Sequence, residues 1–295
     1  MSLGAVYSLV AIGLVLIFKA TDVLSFAQPA LVVVGAGFIS YFATQIGIPF
    51  VFAFIIGVLL TGILGFALER SFLRTMVGEP VFSVAVLTIG IDILLRVVLD
   101  NWIGINPKYM GDPFPSFGNY GSFNVGSITL KYLELAALFS SLTIIVFLLI
   151  FFRKSKYGVA MRATSLDQEA ALAQGINVGR VFGLVWFIAG LLAAFAGFFI
   201  TGGFNMLTNT SFISALRALP AVVIGGLDSI PGAVVGSLII GLTQAYVGYY
   251  QLNIEMTYDI SFGNGFSIVA PYLIMFVILM IKPHGLFGTE EVERV

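Results

Sequence analysis

Asp92 and Arg96 stand four residues apart inside a run that is otherwise almost wholly apolar. At that spacing a carboxylate and a guanidinium share one face of a helix and can pair. Three chemistries suit them: a polar lining for a path through an apolar interior, a neutralised pair of purely structural use with Arg96 reaching towards an interface, or carboxylate catalysis at Asp92. Arg217, three residues before Pro220, can face a substrate carboxylate or rest at an interface. Pro29 suits the first turn of a helix, so Ser25-Phe26-Ala27-Gln28 before it is expected to be non-helical. Such backbone at membrane depth must be buried in protein or line a cavity, which places Phe26, Gln28 and Pro29 beside Asp92, Arg96, Arg217 and Pro220 as candidates for a translocation path or gate. Other chemistry is restricted. With no cysteine and the single His284, the chain cannot build disulfides, iron–sulfur clusters, thiolate zinc sites or histidine metal clusters.

A second set of candidates lies in the strongly polar segment of residues 153–180, RKSKYGVAMRATSLDQEAALAQGINVGR. It holds five of the fourteen Lys and Arg residues: Arg153, Lys154, Lys156, Arg162 and Arg180. Ser165 followed by Gln168 has the form of a capping box, and Asp167 and Glu169 put negative charge where a helix N-terminus favours it. Gly175 can adopt the left-handed conformation that ends a helix. Between these signals lies a helix over 166–175, with a body of about nine residues and roughly 13 Å of length. A short, doubly terminated helix flanked by basic residues is suited to docking a soluble partner.

The elements that must position these residues are apolar spans. Of 295 residues, 59% are hydrophobic and 10% charged, against about 25% charged in a soluble domain. The expectation is a single all-α domain over 1–295, a polytopic transmembrane helical bundle of about 8–10 spans including broken or half-helices. Nine segments stand out: 3–18, 23–42, 49–68, 80–99, 132–152, 181–203, 211–227 with a break at Pro220, 230–250 and 266–281. The first has no basic leader and is not read as a signal peptide. Residues 251–265 are expected to form a polar loop. Ten of the fourteen basic residues fall on one side of this count, which is therefore expected to be cytoplasmic. The C-terminus and the 282–295 tail then lie inside, the N-terminus and the 100–131 loop outside. The net charge of −1 argues against nucleic-acid binding. Gly232-x-x-x-Gly236 is expected to serve close helix packing.

Four blocks carry a family resemblance. GAVYSLVAIGLVLIFKATDVLSFAQPALVVVGAGF, GINVGRVFGLVWFIAGLLAAFAGFF, ALPAVVIGGLDSIPGAVVGSLIIGL and the closing IKPHGLFG occur in order along nearly the whole chain. Together they resemble the branched-chain amino acid ABC transporter permeases of the LivH/LivM family. The resemblance implies an ABC importer permease fold in the inner membrane of a prokaryotic cell, with no ATPase site of its own. It implies as partners a homologous, LivM-like permease subunit, two cytoplasmic ABC ATPase subunits that hydrolyse ATP with Mg, and an extracytoplasmic substrate-binding protein. No cofactor would be bound by this chain, and no nucleic acid. EAALAQG, Glu169 to Gly175, resembles the coupling helix of importer permeases, which gives Arg162, Asp167, Glu169, Ala170, Ala171 and Gly175 an expected role against the ATPase. Small alanines permit close approach, the carboxylate offers a polar contact, and the glycine turns the chain back.

The chain departs from the family pattern at three places. The usual Ile-x-Leu-Pro after the coupling helix is absent, Pro29 stands where a flexible glycine is usual, and Asp228 replaces the third glycine of the C-terminal block. Amino acids, branched-chain or other, are the expected substrates, with urea and short amides as the alternative within the family. Broken helices at Pro29 and Pro220 would also suit a gradient-driven secondary transporter.

Overall fold

The computed structural model describes residues 1–76, 79–104, 106–111, 113, 121–125, 128–202, 206–208, 211–258 and 265–289. Among them are twelve α-helices: α1 Ser2–Thr21, α2 Gln28–Ser40, α3 Phe50–Leu68, α4 Val81–Ile103, α5 Tyr132–Lys154, α6 Lys156–Leu166, α7 Gln168–Ala173, α8 Val178–Thr201, α9 Ser211–Leu216, α10 Ala218–Gly225, α11 Ile230–Tyr258 and α12 Phe266–Ile281. The protein is a polytopic helical bundle. Each of the nine expected apolar segments meets a helical element. Six helical stretches are long and apolar enough to cross a membrane, those of α1, α3, α4, α5, α8 and α11, while α9–α10 and α12 are shorter.

Two helices form the centre. α2 is buried on almost every side, and α1 is buried along most of its length. α8 packs against both and against α3. Glycines set the spacing of the α2–α8 crossing, because a methyl group at Gly35 would collide with Ala194, and one at Gly197 with the Val32 carbonyl. Gly232 and Gly236 do the same between α11 and α10, where added methyls would strike the carbonyls of Gly225 and Ala221. This is the close-packing use expected of that spacing. α4 and α5 instead turn Phe82, Ile93, Val97, Phe139 and Phe147 outward, as helices in contact with lipid do.

Several boundaries differ from the sequence reading. The 100–131 loop begins later, because α4 continues to Ile103, and it contains an antiparallel hairpin of β1 Ser122–Val125 and β2 Ile128–Lys131 with Ser122 opposite Lys131. Part of that loop lies outside the described residues. The expected polar loop at 251–265 is helical as far as Tyr258, since α11 has no Gly or Pro after Gly248 to stop it. The break expected at Pro220 falls at Arg217. Pro220 sits in the first turn of α10, where its missing N–H costs nothing, and its ring excludes the helical carbonyl position of Leu216, the last residue of α9. The chain after α12 folds back on the α10–α11 turn. Leu286 and Phe287 donate to the carbonyls of Ile224 and Gly225, and Thr289 Oγ1 donates to Asp228 at 2.5 Å. Asp228, the residue that departs from the family glycine, thus holds the tail; residues 290–295 lie outside the described residues.

The packing predicts an asymmetry between glycines. Gly197→Val should abolish the α2–α8 contact, because overpacking of this kind typically costs at least about 1–3 kcal/mol. Gly90→Ala, with open space around it, should be neutral or stabilising by up to about 1 kcal/mol. Thermal unfolding of the two purified variants in detergent checks this, and equal melting temperatures would contradict it.

Candidate functional site

Most residues that the sequence singled out gather at two places, joined by one cavity, with Arg217 and Pro220 at a third. The first is the start of α2. Asp22 closes α1 in the left-handed conformation, and the chain then climbs without helical structure to Ala27. Gln28, the first helical residue, lies against Gly13 and donates to the Ala189 carbonyl at 3.1 Å. Gly13 and Ala189 are near the midpoints of α1 and α8, so α2 begins about halfway across the bundle. Pro29 occupies its first turn, as expected. The non-helical stretch ends at Ala27 rather than Gln28.

One side chain from a neighbouring helix takes up a freed backbone group there. The Phe26 N–H donates to Thr88 Oγ1 of α4 at 3.1 Å. One turn further along α4, Asp92 accepts from Arg96 at 2.5 and 3.0 Å, and the backbone N–H of Ala30 in the first turn of α2 lies beside the same carboxylate. Both Arg96 bonds fall on Oδ2, while Oδ1 is buried without a hydrogen-bond partner. Arg96 also lies over the Phe212 ring of α9, 4.1 Å from its centroid. The expected pairing of Asp92 with Arg96 holds, and the pair braces α4 against α2. Arg217 stands apart from them at the α9–α10 break, half-buried, with Nε lacking a hydrogen-bond partner. Pro220 is buried in α10.

The second place is the polar segment, which contains two helices where one was expected. Ser155 caps α6 by accepting from the Gly158 N–H at 2.9 Å. Ser165, expected to cap the helix over 166–175, lies inside α6 and donates to the Arg162 carbonyl. Asp167 is the cap instead: it is extended, and its carboxylate accepts from the Ala170 N–H at 2.9 Å. The reason is chemical, since a carboxylate one residue before the first helical position reaches the free N–H of the third. At the far end Gly175 has φ 81°, with Gly175 N–H to Leu172 O at 2.9 Å and Ile176 N–H to Ala171 O at 3.0 Å. These two bonds form a Schellman motif. α7 is thus shorter than expected, Gln168–Ala173, but closed at both ends. Ala171 is its buried face; Asp167, Glu169, Ala170 and Leu172 are exposed, and Leu166 just before it is 87% exposed. Arg162 turns inward to donate to the Phe152 carbonyl at the end of α5. It fixes the α5–α6 elbow.

Between the two places lies a cavity of about 90 Å³. It is lined by Ser25 of the unwound stretch, Thr88 of α4, Gln168 of α7, Trp186 of α8 and Glu69. Ser25 Oγ and Trp186 Nε1 are buried there without a hydrogen-bond partner. Glu69 was not singled out in the sequence. Its side chain is 2% exposed and takes Arg74 in a bidentate pair at 3.1 and 2.9 Å, while Arg74 also donates to Gly179 O at 2.5 Å. Five residues apart, the two would not face each other on an α-helix. Here α3 runs into a π-helical turn over Glu69–Leu73 that brings them together.

The family described as "Branched-chain amino acid transport system / permease component" matches residues 1–281. The chain is 24% identical to the high-affinity branched-chain amino acid transport system permease protein BraD of Pseudomonas aeruginosa, over all of this chain and 95% of that protein. It is 28% identical to the corresponding LivH of Salmonella typhimurium, again over 100% and 95%. Among solved structures, PsaBC from Streptococcus pneumoniae in complex with Fab aligns over 96% of this chain and 90% of that one, at 15% identity and a TM-score of 0.49.

The Glu69–Arg74 pair should respond unequally to loss of either partner. Arg74→Met strands a buried carboxylate and should cost about 3–5 kcal/mol. Glu69→Gln leaves an arginine whose side chain is already 34% exposed, and should cost about 1–2 kcal/mol. Equal destabilisation in denaturant titrations would contradict this placement of the pair.

Proposed function

We propose a function from the premise that this chain belongs to the branched-chain amino acid transport permease family: it is the membrane permease subunit of a binding-protein-dependent ABC importer, and its cargo is branched-chain or other amino acids. It sits in the inner membrane as a multi-pass protein and works with ATPase and substrate-binding subunits. In this reading the chemistry of ATP and Mg belongs to two cytoplasmic ATPase subunits, and this chain supplies no active site. A homologous, LivM-like permease completes the membrane part, and an extracytoplasmic binding protein delivers substrate.

The observation that carries the proposal is α7, a short helix capped by Asp167 and closed by Gly175, exposed beside a buried core. Lys19, Arg70, Arg74, Lys282 and the basic residues of the 153–180 segment lie at the same end of the bundle, which supports a cytoplasmic position for that end and for the C-terminus. Glu169, Ala170 and Leu172 form the face offered to the ATPase. Asp167, Ala171 and Gly175 shape that face, and Arg162 holds the elbow behind it. Phe26, Gln28 and Pro29 form the gate, because unwound backbone next to a half-helix can change conformation without breaking a complete helical ladder. Asp92 and Arg96 hold the gate to α4. Arg217 and Pro220 flank the path at the second break.

Co-purification in mild detergent tests the ATPase contact. The parent chain should bring down an ABC ATPase. Glu169→Arg and Gly175→Pro should each reduce its recovery at least about ten-fold while the permease stays monodisperse, since proline cannot adopt φ 81°. ATPase recovery unchanged in both variants would overturn the assignment of α7.

A further inference from the structure

We propose that the groove between α6 and α8 binds one anionic phospholipid from the leaflet at the basic end of the bundle. The groove has a volume of about 570 Å³ and lies apart from the cavity beside Ser25. Its lining is graded. Arg180, Leu184 and Phe187 fall at helical spacing on one face of α8, so a cation at the end of the helix leads to apolar side chains about 10 Å deeper. Phe66 of α3 faces them. Lys156 and Tyr157, in the first turn of α6, form the opposite wall at the level of Arg180.

The charges favour this occupant. Both Lys156 and Arg180 are exposed, neither has a carboxylate partner among the described residues, and no acidic side chain lines the groove. Two free cations at headgroup level above an aromatic and aliphatic slot complement a glycerophosphate with its acyl chains. Basic pockets between membrane helices bind anionic headgroups, and each Lys or Arg near an anionic membrane surface contributes about a factor of five. The groove wall includes Gly175 and Asn177, the residues that follow α7. A bound lipid would therefore brace the short helix from the membrane side.

Native mass spectrometry of the full-length chain, titrated in detergent with dioleoyl phosphatidylglycerol or dioleoyl phosphatidylcholine, tests the proposal. One phosphatidylglycerol should bind at least ten-fold more tightly than phosphatidylcholine. Lys156→Gln and Arg180→Gln should each weaken it about five-fold and together roughly thirty-fold. Lys282→Gln, at the same end but outside the groove, should leave it unchanged. A parallel readout uses Phe187→Trp, whose fluorescence, after subtraction of the parent signal, should be quenched more by brominated phosphatidylglycerol than by brominated phosphatidylcholine at equal mole fraction. It decides the matter if a glutamine variant fails to fold. Equal affinity for the two lipids, a Lys282→Gln effect as large as those of the groove variants, or equal quenching by both lipids would overturn the site.

Discussion

Backbone without a helical partner, held halfway across an apolar bundle, is the constraint on which the rest of this structure depends. From exposed Asp22 to buried Ala27 the chain runs without helical hydrogen bonding from the end of α1 into the bundle, where water cannot replace those bonds. Polar neighbours answer this in part, while Ser25 Oγ and Trp186 Nε1 beside the stretch keep no hydrogen-bond partner. Thr88 takes the Phe26 N–H, Gln28 reaches the Ala189 carbonyl, and Asp92 stands at the positive end of α2 with Arg96 to neutralise it. Glycines in α2 and α8 bring the helices close enough to exclude lipid from the gap. A fully helical second span would need none of this. The expense is justified if the stretch moves.

The same stretch forms one wall of a cavity whose opposite wall includes Gln168, the first residue of α7. α7, the helix proposed to meet the ATPase, and the unwound stretch before α2 thus border one small space. Trp186, Glu69 and residues of α1 and α4 also line it, and Arg74, paired with Glu69 from outside the lining, extends to Gly179 at the start of α8. A displacement of α7 has a short physical route to the unwound stretch before α2 through groups that line the cavity, Thr88 of α4 among them.

The legible part of this arrangement was local chemistry. Pro29 announced the half-helix, Gly175 announced the end of α7, and Asp92 with Arg96 announced an ion pair, because each signal acts within one turn of its own residue. Spans were legible from apolar length. What failed was competition between nearby signals. Ser165 and Asp167 both qualify as caps, and the carboxylate prevailed once α6 extended through Ser165. Pro220 marked a break but not its position, because proline displaces the carbonyl four residues earlier. Glu69 and Arg74 were invisible as a pair, since nothing in an i, i+5 spacing signals the π-turn that unites them.

The chain has no cysteine, which opens a direct test of the link between α7 and α2. A single Ser25→Cys can be introduced, the importer reconstituted with its ATPase in lipid, and the rate of thiol labelling compared between the nucleotide-free state and a state trapped with ADP and vanadate. If engagement of α7 moves the unwound stretch, the labelling rate at position 25 should differ at least about five-fold between the two states, and Glu169→Arg in the same chain should remove the difference. Identical labelling rates in the two states, with ATP hydrolysis intact, would contradict the account.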